Sequence, residues 1–599
     1  MTRTTPPRET FEEVRQRLDR AVFTALESQA ESRRVSLPAG HTPETVRDAA
    51  HDERLRQIFD RAPLALLGFD TPGIQSYIFQ VQRQVDVMGG SFLVEGFTDQ
   101  VDGSLYTHLD AAKIDRRAVI FAGGGSGLLV VPADVAASTA DALEKPLSEA
   151  TAGDLFSVAT FLPIWPRDLS SEPPPELALG ELASLGEGSV AASRYAATVA
   201  ALEALKQNER SKRLRLVESL PTDRYIERCD ACQRAKGYER SYPDGESYRI
   251  CPGCEARRGF GQHERGEERQ APNFPDLVAG LSSRDLAVLY ADGANVGGAF
   301  LEIRSMVEHA VLSQAVRDAM EDALLTVESK LDVFFKSLPG AGATENGKRY
   351  QTPVKGGDDL VVVLPATAAV AIVVPLIEAY ERFFDQEVEP RLEGCAASER
   401  TRIRRRLGQF GLGFGLAIAD HQFPIQFLLD YAGSLLKSAK ARIDPDAGIR
   451  SAVDYLILRT GNPLSRDLEQ LRSTHYRRPS LQLTERPYSL AGFKTLLDEV
   501  DALRRVTPSQ VHAMRRELDH GRARSRSLWR YQHARAEGGR GWAAYREHLG
   551  RRLDEVDSLL WSKGEGDVYS TRYLDAFELF DHAPWQLEPE DAPSEELAP

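Results

Sequence analysis

The chain has 599 residues, a formal net charge of −15, 42% hydrophobic and 27% charged residues, and five cysteines. That length exceeds what one hydrophobic core serves, so roughly three to five domains are expected. The composition is that of an ordinary folded chain and not of a disordered one, no run of about 18 apolar residues marks a membrane span, and the acidic balance argues against broad nonspecific coating of nucleic acid. The polar start, Met1-Thr-Arg-Thr-Thr-Pro-Pro-Arg8, lacks the apolar core of a signal peptide, and scarce cysteine argues against a disulfide framework. A cytoplasmic protein is expected.

Residues 1–60 read as a polar helical segment, with Val14, Leu18, Val22 and Leu26 at helical spacing. His51-Asp52 is an HD dipeptide, but metal phosphohydrolases need further histidines and a later aspartate, so it reads as a solvated helix pair. Residues 61–170 carry strand text: Leu64-Ala-Leu-Leu-Gly-Phe-Asp70, Ala118 to Ala122 and Leu128 to Val131. Residues 171–280 hold a Pro- and Glu-rich linker, helical text from about Ala191 to Ser219, and a cysteine cluster.

Cys229-Asp-Ala-Cys232 and Cys251-Pro-Gly-Cys254 are paired CxxC knuckles. Their separation fits a closed tetrahedral four-cysteine site for one structural Zn²⁺. Cys395 is unpaired and reads as a small core residue.

Residues 281–460 form a second strand-rich block, in which Leu286-Ala-Val-Leu-Tyr-Ala-Asp292 repeats the strand ending on Asp70. Gly356-Gly357-Asp358-Asp359 lies between two apolar runs and reads as a hairpin tip. The equivalent tip in the first block is Gly123-Gly124-Gly125-Ser126, which has no acids. Two copies of one α/β unit are therefore expected, and only the second keeps its hairpin carboxylates.

Adjacent strands lie about 4.8 Å apart, so Asp292 and Asp358 can converge on a shared pair of hard cations, Mg²⁺ or Mn²⁺. One ion would activate a 3′-hydroxyl and the other would neutralise a leaving pyrophosphate. Gly293-Ala-Asn295 opens a Gly-rich turn that can cradle a triphosphate with backbone N–H groups, although such turns are commonly only turns. Gly411 to Ala419 reads as a buried strand, and Pro424 opens a helix with an apolar face of Phe427, Leu428, Tyr431, Leu435 and Ala439. Lys440 at its end can reach a triphosphate or simply complement the helix dipole. With Asp70 alone, the first copy should be catalytically silent.

Two arginine-rich stretches stand out against the acidic whole: Arg402 to Arg406, and Met514 to Trp542 with Trp529, Tyr531 and Trp542 interleaved. They fit either RNA contact or a solvated face paired with nearby acids. Residues 461–587 read as a helical domain, and 588–599 as an acidic disordered tail.

Several ordered motifs coincide: Gly68-Phe-Asp-Thr-Pro-Gly-Ile-Gln-Ser-Tyr-Ile-Phe79, Gly89-Gly-Ser-Phe-Leu93, the acid-free hairpin, the four-cysteine knuckles, Asp292, the GGDD tip and the helix ending Ala439-Lys440. Over roughly residues 60–460 this order resembles the large palm-domain subunit of type III CRISPR effector complexes, the CRISPR polymerase, in a form lacking the HD nuclease domain. The resemblance implies an α+β architecture: two ferredoxin-like, nucleotide-cyclase-like palm domains, a four-cysteine zinc ribbon insertion and a C-terminal helical bundle. It further implies an ATP-using cyclic oligoadenylate synthase with two catalytic divalent ions, working beside other effector subunits, guide RNA and target RNA, away from membranes. Carried over by position, Asp292 and Asp358 would be metal ligands and Asp359 the second acid of the signature. Gly293, Asn295, Gly356 and Gly357 would border the nucleotide, and Lys440 would contact its triphosphate. Competing readings are a palm enzyme joining AMP to another small acceptor, a diguanylate cyclase, or a non-catalytic scaffold.

Overall fold

The computed structural model describes residues 9–582 except 99–102, 174–192, 215–226, 242–246, 268–272, 282, 338–347, 460–464, 466, 537–539, 551–559 and 565. The expected acidic tail, and most of the Pro- and Glu-rich linker, lie outside the described residues.

Two sheets form the frame. The first is antiparallel and joins β1 (Leu64–Asp70), β2 (Val119–Gly123), β3 (Ser126–Pro132) and β4 (Val158–Ile164) in the order β2-β3-β1-β4. Between β1 and β2 runs the helix Gln84–Thr98, and between β3 and β4 the helix Ala136–Ala150. That is the βαββαβ plan of a ferredoxin-like palm. A short separate ribbon, β5 (Tyr238–Ser241) with β6 (Ser247–Ile250), belongs to the cysteine cluster.

The second sheet contains β7 (Asp285–Ala294), β8 (Gln351–Gly356), β9 (Asp359–Pro365), β10 (Gly411–Asp420) and β11 (Ala452–Ile457). Its inner order β8-β9-β7-β10 repeats that of the first sheet. β11 adds a parallel strand beside β10. The duplication extends to detail: both hairpins turn through two residues, and both carry a bulge in the first strand, at Val119/Phe121 and at Gln351/Val354. The run Leu360-Val-Val-Val-Leu364 is wholly buried, as β-branched residues in a covered central strand should be.

Glycines in β10 set the height of the helix above it. Gly413 and Gly415 share one face of the strand. A Cβ at Gly415 would sit 2.0 Å from the Ala432 carbonyl oxygen, and one at Gly413 would sit 2.7 Å from Lys440 Cγ. The helix Ile425–Lys440 therefore rests almost directly on the sheet, which brings Lys440 over β7. Its buried residues are Ile425, Leu428, Leu429, Tyr431, Ala432, Leu435, Leu436 and Ala439, while Phe427 turns out to solvent. A Gly415→Ala exchange should cost at least about 1–3 kcal/mol through overpacking, read as a lower unfolding midpoint.

The C-terminal region has helices at Leu468–Tyr476, Leu490–Leu503, Pro508–Asp519, Arg522–Ala534, Trp542–His548 and Tyr573–Leu579. It is less purely helical than the sequence indicates. β12 (Arg477–Arg478), β13 (Leu481–Gln482), β15 (Ser562–Lys563) and β16 (Tyr569–Ser570) form a small sheet, and β14 (Tyr488–Ser489) extends the second palm sheet beside β11. Strands of two residues leave no periodicity to read. Arg486 fastens this region to the palm: it pairs with Asp575 at 3.0 Å and donates to the Tyr455 carbonyl on β11 at 3.0 Å.

Two expectations are corrected by burial. Trp529 and Trp542 are fully buried and pack ring to ring at 5.0 Å, so they are core and not stacking platforms; only Tyr531 is exposed. Asp52 is buried, not solvated: it accepts from Arg56 Nε at 2.8 Å, and the His51 ring lies 5.2 Å from that of His41. The arginine stretch at 402–406 pairs with acids, Arg402 gripping Glu308 at 2.6 and 2.8 Å.

Candidate active site

The register of β7 against β9 places Asp292 directly opposite Asp359. Asp358 occupies the hairpin turn, and its carbonyl accepts the Gly293 N–H at 3.2 Å. Gly293 has no room for a side chain, since a Cβ would lie 2.9 Å from Asp358 Cβ and 2.7 Å from Val296 Cγ2. Three carboxylates thus gather at the ends of two neighbouring strands. Burial, and then the Asp292 charge, push the Asp358 carboxyl up to about 6 and that of Asp359 to about 7.

Lys440 is the nearest cation. Its ammonium donates to the Asp292 carboxylate and, at 2.9 Å, to the Gly293 carbonyl. Asn295 stands at φ 66° as the entry to the short helix Val296–Leu301, and its amide donates to the Gln409 carbonyl at 3.0 Å. The Gly293 N–H and the Asn295 side-chain amide are thus both engaged in shaping the turn.

The two glycine pairs meet. A Cβ on Gly356 would lie 3.2 Å from Gly124 Cα, and Gly357 and Gly124 adopt φ of 59° and 58°. The hairpin tips of the two palms therefore abut backbone to backbone, which together with the positive φ explains glycine at Gly124, Gly356 and Gly357. Beside the contact lies a cavity of about 400 Å³ lined by Phe121, Ser126, Val296, Arg317, Asp358 and Asp359. A second, of about 330 Å³, is lined by Gln75, Ser91, Glu95, Lys355 and Asp359.

Two neighbours of the acids were not legible as site residues. Tyr290 lies on the same face of β7 as Asp292, and burial with the nearby acids raises its phenol. Gln75 reaches in from the first palm to Asp359 at 3.3 Å. Its only sequence signal is membership of the Gly68–Phe79 motif.

The all-oxygen, anionic donor set suits a hard divalent cation. In this state, however, Lys440 supplies the local positive charge. Among the described residues, only the four cysteines bring three or more ligating atoms within 4.8 Å of one another.

Cys229, Cys232, Cys251 and Cys254 are all buried, and the Cys251 N–H donates to Cys229 Sγ at 3.3 Å, as thiolate knuckles require. This cluster fits Zn²⁺ with no open position. The helix Pro252–Glu267 that follows crosses Gln84–Thr98 at close range: Cβ atoms on Gly89 and Gly261 would lie 1.8 and 2.0 Å from carbonyl oxygens opposite. Buried Arg258 grips buried Asp86 at 2.9 and 2.7 Å across the same contact. The Gly89-Gly90-Ser91 motif is thereby a docking seat for the zinc module. Elemental analysis should find one zinc per chain, and Cys251→Ser should lose it and lower the unfolding temperature. Cys395 is half-buried, its thiol 3.5 Å from Glu399.

Two joined palms, one with hairpin acids and one without, define a double-palm α+β protein. Residues 285–447 match the family model described as Cas10/Cmr2, second palm domain. The chain is similar in fold to Csm1 of T. onnurineus, with a TM-score of 0.51 at 14% identity over 87% of this chain and 70% of that one. It is likewise similar to a chain of the Csm1–Csm4 cassette solved with cA4, with a TM-score of 0.50 at 13% identity over 90% of this chain and 72% of that one. No curated protein matches it in sequence. The second palm is thus of the Cas10/Cmr2 type on a Csm1-like fold, in agreement with the resemblance drawn from the motifs. No described helix is long and apolar enough to cross a membrane.

Proposed function

We propose that the chain is an ATP-consuming nucleotidyltransferase that builds cyclic oligoadenylates, acting in the cytoplasm as the palm subunit of a type III CRISPR ribonucleoprotein switched on by target RNA. The observation that carries this reading is the placement of Asp292, Asp358 and Asp359 at one strand edge, against a second palm whose matching hairpin has no acids. A two-residue turn in this register needs no acids, because Gly124-Gly125 closes one without them, with Gly125 at φ 81° where Asp358 has no positive φ. A Csm1–Csm4 cassette solved with cA4 supports the product class and a Csm4-like neighbour subunit.

Two divalent ions, Mg²⁺ or Mn²⁺, held by Asp292, Asp358 and Asp359 would lower the pKa of a 3′-hydroxyl and offset charge on the pyrophosphate. The protein's own part follows from the geometry. Asp358 and Asp359 crowd each other and Asp292, a repulsion that bound cations relieve. Lys440 then leaves Asp292 for the triphosphate, exchanging one anionic partner for another. The abutting glycine tips fix the distance between the palms, so that two adenylates can be held side by side.

The test is purification with associated chains, then ATP turnover with and without complementary RNA, with products read by mass spectrometry. Cyclic oligoadenylates appearing only with RNA support the reading. Adenylated small acceptors, or consumption of GTP, would replace it.

A further inference from the structure

Gln75 belongs to the first palm, yet its side chain ends in the second. It sits on the short helix Ile74–Ile78 after β1, entered through Gly73 at φ 79°. With its amide nitrogen turned inward it donates to Asp359 Oδ2 at 3.3 Å and to the Tyr290 hydroxyl. This helix is braced from two sides. A Cβ on Gly125 would lie 2.4 Å from Ile74 Cδ1, so the acid-free hairpin presses against it. Behind it, the fully buried guanidinium of Arg257 lies 3.6 Å from the centre of the Tyr77 ring and donates to the Tyr77 carbonyl at 2.6 Å. Arg257 follows the zinc-site residue Cys254 by one helical turn.

We propose that Gln75 is a positioning residue for the second palm: held by the zinc-bearing helix through Arg257, it fixes the Asp359 carboxylate toward the ion shared with Asp292 and Asp358. This rests on the reading that Asp359 helps hold a divalent ion. A neutral amide suits the task. It orients one carboxylate oxygen and adds no positive charge to compete with the cation, as a lysine or arginine there would. The acid-free palm and the zinc module thereby act on the reaction through the position of Asp359. Hydrogen bonds to a charged acceptor are among the stronger ones, so losing this one should weaken ion binding roughly tenfold.

The probe is Mn²⁺, titrated calorimetrically into the full chain with a non-hydrolysable ATP analogue, beside the Mg²⁺ dependence of turnover. Gln75→Met keeps the side-chain volume and removes the donor. It should bind Mn²⁺ roughly tenfold more weakly, unfold at the parent's temperature, and recover most of its turnover at saturating Mg²⁺. Structural damage would not be rescued by Mg²⁺. Mn²⁺ affinity within about threefold of the parent would overturn the inference, half the expected effect on a logarithmic scale. Arg257→Gln should weaken Mn²⁺ binding in the parent and add little to Gln75→Met, because both act along one route. Fully additive losses would remove Arg257 from it. Should Arg257→Gln not fold, Gln75→Met decides alone. Asp359→Asn separates the layers: if it loses Mn²⁺ while Gln75→Met does not, only this inference falls. If Asp359→Asn binds Mn²⁺ like the parent, the proposed function falls first.

Discussion

Changing Asp358 and Asp359 together to alanine should lower nucleotide turnover about 1000-fold or more and leave the fold in place. Losing the carboxylates removes the ligands for ions that would stabilise charge by several kcal/mol, and each 1.36 kcal/mol is a factor of ten in rate. The fold should survive because the turn does not depend on the acids. Gly123 pairs with Ser126 across Gly124-Gly125 in the same register as Gly356 with Asp359 across Gly357-Asp358. Steady-state ATP consumption and circular dichroism on the same sample check both halves. Unchanged turnover would return the GGDD tip to the status of an ordinary turn.

The same acids should make the protein less stable as pH rises when no divalent ion is supplied. In the folded state Asp358 and Asp359 titrate near 6 and 7, against an ordinary value of 3.8. Between about pH 4 and 7 the folded chain therefore holds protons that the unfolded chain has released, and stability falls through that window. Below it both states are protonated and the penalty is absent; above it the penalty is complete. Asp359→Asn should accordingly be more stable than the parent in Mg²⁺-free buffer at pH 8, on the order of 2 kcal/mol, and no more stable near pH 4. Adding Mn²⁺ should reverse the order at pH 8, because the parent has the ligand and the variant does not. Denaturant unfolding at the two pH values, with zinc retained, measures this. A parent more stable than the variant at pH 8 without added ion would contradict the repulsion on which the site is built.

Much of the frame was legible because it depends on local text. Strands such as Leu64–Asp70 and Leu360–Leu364 announce themselves by unbroken apolar runs, and the two hairpins by glycine pairs between them. The duplication was visible because Asp70 and Asp292 close equivalent apolar runs, although β7 continues past Asp292 to Ala294 where β1 stops at Asp70. The cysteine spacing alone carried the zinc site. What escaped was set by contacts distant in the chain. Nothing near Gln75 says that it meets Asp359, and nothing in Gly89-Gly90 names the zinc helix as the neighbour that needs the space. The arginines around Trp529 and Trp542 suggested either RNA contact or a solvated face, but an arginine-rich helix can still bury one face, and both rings are buried. Asp52 was placed in solvent because the HD dipeptide lacks the further ligands of a metal site; in the fold it is buried and paired with the more exposed Arg56.

The claim that this cleft performs nucleotidyl transfer is tested most directly with ATP labelled at the α-phosphate. The assembly purified with its native subunits is given Mg²⁺ and complementary RNA. The expected result is α-label in phosphatase-resistant oligoadenylate, pyrophosphate released one-for-one with each bond formed, and neither in the Asp358→Ala, Asp359→Ala double variant. Release of inorganic phosphate with the label left in ADP, or α-label that the double variant incorporates equally well, would contradict it.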